Sequence, residues 1–208
     1  MNDRLPELLR ARLQGPLPRP LARSRFEPQS GAARRCDEPP SEARAAAVLV
    51  LLYPHQGCWY LPLTLRPSHL PDHAGQVSLP GGAIEPGETS REAAIREFHE
   101  ELGAADQPID LLGRLSPLFV ATSNFGVEPW VGAAASRPQL VPNPAEVDAL
   151  LEIPLAHLLD PASFGTHERQ HEGRSYAAPH FVWQTHRIWG ATCMILGELV
   201  TLVEELGI

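Results

Sequence analysis

Apolar residues between positions 45 and 66 come in two dense runs rather than in alternation. AAAVLVLLY (45–53) is continuous, the pattern of a strand covered on both faces, and CWYLPLTLR (58–66) follows after a turn at His55–Gly57. The two form a hairpin in the simplest reading. Further strands are predicted at 110–120 and 127–135, a helix near 145–159, and HFVWQTHRIWG (180–190) as a strand turning into a C-terminal helix at about 187–206. At the other end RLPELLRARL (4–13) has the period of a short amphipathic helix, whereas 14–43 is rich in Pro, Arg and Ser without any period. The mixture of types and the lack of an internal repeat indicate an α/β fold, divided into an extension over 1–43 and a domain over 44–208.

The segment SLPGGAIEPGETSREAAIREFHEELGA (78–104) carries both period and punctuation. Thr89 followed three residues on by Glu92 is a capping box, so a helix begins near Ser90, and Gly103 is a natural stop. Ile95, Phe98 and Leu102 are spaced to form the face that packs on the sheet. Glu97, Glu100 and Glu101 lie at i, i+3 and i+4, on a different face, where like charges destabilise a bare helix by a few tenths of a kcal/mol per pair, on the order of 0.2–0.5 kcal/mol. Either the face is simply a solvated acidic one, or a hard divalent cation such as Mg²⁺ or Mn²⁺ compensates it, since such ions prefer carboxylate oxygens and share substrate phosphates. The Pro80-Gly81-Gly82 turn just upstream lets backbone approach a metal or phosphate closely, and Glu88 and Arg96 are placed to pair and fix the loop.

Composition narrows the class. A chain of 208 residues, 43% hydrophobic, suffices for one good core. No run approaches the roughly 20 apolar residues of a membrane span, and the three cysteines, Cys36, Cys58 and Cys193, are too few and too far apart for a disulfide framework. A soluble, cytoplasmic protein with free thiols is expected, without a membrane partner. All 17 cationic side chains are Arg; eight fall within 1–35, leaving a strongly acidic body that is a poor partner for nucleic acid. The basic N-terminal tract, interrupted by Asp3 and Glu7 and broken by prolines, reads as a solvated tail carrying one short helix.

The acidic segment resembles the signature box of the Nudix hydrolases. Gly82, Glu88, Arg96, Glu97, Glu100, Glu101 and Gly103 stand in the box's register, with Phe98 and Ala104 at its aliphatic positions. The resemblance implies an α/β/α sandwich with a mixed β-sheet and a loop-helix-loop box, and hydrolysis of a nucleoside diphosphate linked to another group. It implies metal ligands at Glu97, Glu100, Glu101 and the backbone carbonyl of Gly81, with Glu97 or Glu100 as general base. Bound Mg²⁺, or Mn²⁺, would neutralise the pyrophosphate and activate a water for in-line attack. Such enzymes often draw a further ligand from a distal loop, for which Glu146 in NPAEV is placed. Otherwise Glu146 simply begins a helix, where its charge suits the dipole.

Upstream, LTLRPSHLPDHAGQVSLPGG (63–82) is similar to the extra signature of the coenzyme A pyrophosphatase branch of that family. Thr64, Arg66, Gly75 and Pro80-Gly81-Gly82 agree in register; Pro62, Pro67, Pro71 and Leu79 depart, Pro71 replacing an arginine. The similarity extends over roughly 45–205 and implies cleavage of coenzyme A or its derivatives to 3′,5′-ADP and 4′-phosphopantetheine. Arg66 would contact phosphate, supported by His73 and Gln76, with Ser123 and Asn124 lining the cleft. Each has a structural alternative: an acid partner for Arg66, turn roles for His73, Gln76 and Asn124. The alternatives for function are another nucleoside diphosphate derivative (ADP-ribose, NADH, a nucleoside triphosphate) or a non-catalytic binding module, the partner being a small nucleotide substrate and the assembly a monomer or homodimer. HERQH (167–171) satisfies the HExxH zinc pattern, but it lies between Gly165 and Gly173 without helical period and reads as a polar loop.

Overall fold

The computed structural model of the protein describes residues 3–18, 24–28, 33–35, 39–68, 75–104, 107–171 and 173–207. Its spine is β2 (Arg44–His55), preceded by α1 (Leu5–Leu13) and the short β1 (Ala33–Arg35). Leu49 to Tyr53 are fully buried, and alternate side chains enter different cores: Ala46, Val50 and Leu52 one, Ala47, Leu49, Leu51 and Tyr53 the other. A strand with helices on both sides needs apolar residues at every position, which is why 45–53 lacks alternation.

Around it β3 (Cys58–Leu65), β4 (Val77–Ser78), β5 (Gly81–Ala83), β6 (Asp110–Arg114), β7 (Leu118–Val120), β8 (Phe125–Ala133) and β9 (Ala149–Pro154) complete a nine-stranded sheet among the described residues. The order β1-β7-β8-β2-β3-β4 is joined by β5 on β2, β6 on β8 and β9 on β3. Only β2–β8 is parallel among these pairings, so the sheet is mixed. Helix α2 (Ser90–Leu102) covers one face through Ala93, Ala94, Phe98 and Leu102. The other face is closed by α1, α4 (Gly190–Leu206) and a three-stranded sheet of β10 (Phe164–His171), β11 (Arg174–Trp183) and β12 (His186–Trp189). This is an α/β/α sandwich.

Several elements differ from the sequence expectation. The strand expected over 110–120 is two strands, broken where the buried Glu198 of α4 accepts hydrogen bonds from the Ser116 amide and hydroxyl at 3.1 and 2.8 Å. The helix expected near 145–159 shrinks to α3 (Leu155–Leu159), because 149–154 pairs as a strand with β3 from Tyr60 to Leu65. A tertiary ladder outweighs local propensity there. HERQH is neither helix nor loop but strand β10, paired along its length with β11. The C-terminal helix starts at Gly190, after a β11–β12 hairpin whose turn holds Gln184 at φ 54°.

The described parts of the N-terminal tract are not a solvated tail. Leu5, Leu9 and Leu13 are buried, and Phe26 stacks at 5.6 Å on Phe181 and edge-on at 5.0 Å against Phe164. Gly197 leaves the space for that ring: a Cβ there would collide with Phe26. The arginines find acids of the body, Arg10 with Asp110 at 2.6 Å, Arg12 with Glu205 at 2.7 Å and Arg25 with Glu204 at 3.0 Å.

Candidate active site

Helix α2 begins where its box requires. The Thr89 hydroxyl accepts from the Glu92 amide at 3.3 Å while Glu92 accepts from the Thr89 amide at 2.8 Å, and Gly103 closes the helix in the left-handed region at φ 68°. Ser90 donates to Glu128 of β8 at 2.7 Å and accepts from the Trp130 indole at 3.2 Å, which fixes the helix on the sheet. The carbonyls left over at its C-terminal end accept from the Val141 and Asn143 amides at 2.8 Å each. The second of these bonds, to the Glu101 carbonyl, sets the 143–146 turn against α2. Glu146 therefore lies in a turn, braced by Asn143, and not at the start of a helix.

The three glutamates of α2 are not equivalent. Ile95 is only half-buried, so the core face runs through Ala94, Phe98 and Leu102 and takes Glu101 with it. Glu101 is 4% exposed; the Gly81 amide donates to its carboxylate, but Oε2 has no partner. Burial pushes its pKa up to about 8, with Glu97 and Glu146 adding repulsion against the pull of Gly81 and Arg66. Glu97 is half-buried and shifted upward, first by burial and further by Glu100 and Glu146. Glu100 is exposed.

Arg96 organises the loop. It holds Glu88 bidentately at 2.6 and 3.1 Å, donates to the Ala83 carbonyl at 3.1 Å, and places Nη1 2.9 Å from both Glu97 Oε1 and Glu100 Oε2. Glu88 in turn accepts from the Glu85 amide at 2.7 Å and is depressed chiefly by Arg96. Opposite, Gly81 and Gly82 are pressed between β2 and α2. Gly81 has φ 151° and its missing Cβ would overlap the Ala47 carbonyl and Val48; a Cβ at Gly82 would fall 2.5 Å from Glu97 Oε1. Two glycines are needed for backbone to pass this close to the carboxylates.

The donor set fits a hard divalent cation. Mutually repelling carboxylates and an orphaned buried oxygen on Glu101 form an environment that a cation would relieve. Oxygens of Glu97 and Glu100 lean toward Arg96, and among the described residues no three carboxylate, imidazole or thiol groups converge on one point.

Beside the glycine turn opens a cavity of about 640 Å³ between the large sheet and the β10–β12 sheet. It brings together Gly81, Gly82, Arg66, Gln76 and Ser123, with Arg44, Arg169, Tyr176 and Trp189, which sequence reasoning missed. Asn124 is not on its wall: it takes φ 54° in the turn before β8 and donates to the Glu42 carbonyl at 3.0 Å. His73 lies outside the described residues. The signal for Arg169 was present in HERQH, but as a strand position facing an aromatic rather than as a zinc motif. Within that motif His167 meets His180, Nδ1 to Nδ1, at 3.1 Å.

A mixed sandwich whose loop-helix-loop carries the carboxylates beside a cavity is the architecture of a Nudix hydrolase, and the NUDIX domain model matches residues 43–172. The chain belongs to the Nudix family of hydrolases, which generally require divalent metal ions and act on small nucleotide-derived substrates. It is 36% identical to the uncharacterized Nudix hydrolase NudL of Photorhabdus laumondii over 69% of this chain and 77% of that one. With the mitochondrial coenzyme A diphosphatase NUDT8 of Homo sapiens it shares 38% identity over 80% of this chain and 71% of the relative. A crystal structure of a Nudix hydrolase from M. smegmatis, RenU, aligns with TM-score 0.47 at 25% identity, over 55% of this chain and 73% of that one.

Proposed function

We propose that the chain hydrolyses the pyrophosphate of coenzyme A or its derivatives, releasing 3′,5′-ADP and 4′-phosphopantetheine. The observation that carries this reading is the charge of the cavity. Arg44, Arg66 and Arg169 line it and, among the described residues, none has an acid ion-pair partner, whereas Arg10, Arg12, Arg25, Arg96, Arg114 and Arg137 are all paired elsewhere. Three guanidinium groups without an ion-paired acid among the described residues, in a protein of acidic net charge, suit a substrate with several phosphates, and coenzyme A has three. The similarity to a relative named as a coenzyme A diphosphatase supports the same choice. Apolar side chains on the sheet wall, Ala46, Val48 and Val127, suit the pantetheine arm.

In this reading Glu97, Glu100, Glu101, Glu146 and the Gly81 carbonyl hold Mg²⁺ (or Mn²⁺), which when bound neutralises the pyrophosphate and lowers the pKa of water. Glu97 or Glu100 accepts the proton: both touch Arg96 Nη1, which aims their carboxylates, and burial raises the pKa of Glu97 above the ordinary carboxylate value. Arg66 supplies charge at the phosphates. Its backbone is fixed by pairing with Gln76 and Gly75, and its Nε has no hydrogen-bond partner. Glu88 holds Arg96 in place. Gln76 and Ser123 offer polar contacts from the wall, and the motif that contains His73 makes it a further substrate-contact candidate. The catalytic domain is taken as 44–208 and its place of action as the cytoplasm; no described helix is long and apolar enough to cross a membrane.

The test is a mass-spectrometric product assay with Mg²⁺ on coenzyme A, ADP-ribose, NADH and dGTP offered separately. Selective formation of 3′,5′-ADP from coenzyme A is expected, with Glu100→Gln and Glu101→Gln each reducing turnover on the order of 100-fold or more, the scale of losing one preorganised charge contact. Preferential cleavage of another substrate would overturn the coenzyme A assignment, and full turnover by both variants would overturn the metal-ligand assignment.

A further inference from the structure

Arg169 and Arg66 reach the cavity from different sheets. Arg66 follows β3 of the large sheet and acts electrostatically on Glu101, so it belongs to the end where the pyrophosphate is cleaved. Arg44 is on the same sheet, two residues from Ala46, which pairs with Ala83 of the box loop, and it lies over Phe125 at 4.3 Å. Arg169 stands on β10, across the cavity. Its guanidinium rests 3.8 Å from the centre of the Trp189 ring, and its ladder partner on β11 is Tyr176. All three line the cavity.

A guanidinium laid on an indole keeps its fork of N–H donors in the plane, directed outward, and loses little further freedom when an anion arrives. Beside it, one ladder rung away, is the phenol ring of Tyr176, a surface on which a nucleobase can stack. Cation and ring side by side on one wall, with a second cation at the cleavage end, match a nucleotide that carries a phosphate on its ribose in addition to the 5′-pyrophosphate.

We infer that Arg169, held by Trp189 and flanked by Tyr176, is the specificity element for the ribose phosphate of the substrate, the 3′-phosphate of coenzyme A. This rests on the coenzyme A reading above and adds to it the residue that distinguishes a nucleotide bearing that phosphate from one without it. Arg169 contacts substrate; Trp189 is a positioning residue acting through it; Tyr176 carries the base.

The experiment compares coenzyme A with dephospho-coenzyme A as substrates for the full chain, and 3′,5′-ADP with 5′-AMP as ligands by calorimetry. The wild type is expected to favour the 3′-phosphorylated member in both pairs by on the order of 10- to 100-fold, the worth of one charge-assisted contact. Arg169→Ala removes most of that preference by lowering the coenzyme A value far more than the dephospho value, and Arg169→Lys restores part of it. Trp189→Leu also reduces the preference although Arg169 is intact, while Tyr176→Leu weakens both members alike. A parallel loss on both substrates in Arg169→Ala, or an undiminished preference, overturns the inference and leaves the coenzyme A reading standing. If the wild type cleaves neither compound, that reading fails; an Arg169-dependent preference for 3′,5′-ADP in calorimetry would still support the inference, and no preference there would end both.

Discussion

Gly81 and Gly82 look alike in the sequence, yet they do different work. A Cβ on Gly81 meets backbone, the Ala47 carbonyl and Val48 Cα, and its φ of 151° is one that L side chains rarely adopt. A Cβ on Gly82 meets only the end of the flexible Glu97 side chain. Gly81→Ala is therefore expected to lower stability by about 1–3 kcal/mol or more, read by denaturant unfolding. Gly82→Ala should unfold close to wild type but lose activity by roughly 100-fold, because displacing a catalytic group by about 1 Å costs that much. A large loss of stability in Gly82→Ala would show that Glu97 cannot move aside. The residue scale also separates the glutamates of α2: spacing grouped Glu97, Glu100 and Glu101, but depth in the fold makes Glu101 a buried acid and leaves Glu100 in solvent.

At the scale of elements, a polar cluster ties β2 to β9 across the intervening β3. The Tyr53 hydroxyl donates to Glu152 at 2.6 Å, and Arg137 holds the same carboxylate bidentately at 2.7 and 2.8 Å. The Glu152 pKa is depressed below 4.5, first by Arg137, so its contribution to stability is present above that value and is lost as pH falls through the lower, folded value. Melting temperatures measured from pH 6 to pH 3 should thus fall more steeply for wild type than for Glu152→Gln. The variant should start lower at pH 6, since its amide cannot pair as a charge with Arg137. Equal slopes would remove Glu152 from the acid limb. This cluster was not legible in the sequence, where Tyr53, Arg137 and Glu152 share no spacing rule. The capping box and Gly103 stop of α2 were legible because their bonds close within four residues. The strand character of 149–154 was not, since it comes from pairing with β3 far away in the chain, nor was that of 164–171, whose mostly polar residues give no apolar period although their partner is the next strand.

For the whole molecule, the described parts of the N-terminal tract belong to the folded body. Phe26 fills the space over Gly197 against Phe164 and Phe181, and α1 adds Leu5, Leu9 and Leu13 to the core. Phe26→Ala is expected to cost about 3–5 kcal/mol, or roughly 10 °C in melting temperature for a chain of this size. A shift of a degree or less would return the tract to the status of an appendage. The ion pairs of Arg10, Arg12 and Arg25 also explain the lopsided charge: cations concentrated at one end of the sequence lie against acids near α4 and β6, where they add little stability individually but oppose the repulsion of the acidic body.

The sequence alone determined what depends on neighbours along the chain: the box helix with its caps, the unbroken apolar run of a doubly covered strand, the glycine turn and the family to which these belong. Those features are set by backbone sterics and by helical and strand periods, which act over a few residues. Only the tertiary structure decided which glutamate is buried, that Glu146 is carried to the box by a turn bonded to the end of α2, and which arginines face the cavity. Burial, charge partnership and cavity walls arise between residues tens of positions apart. Arg169 and Arg66 line one cavity only because two sheets close on each other.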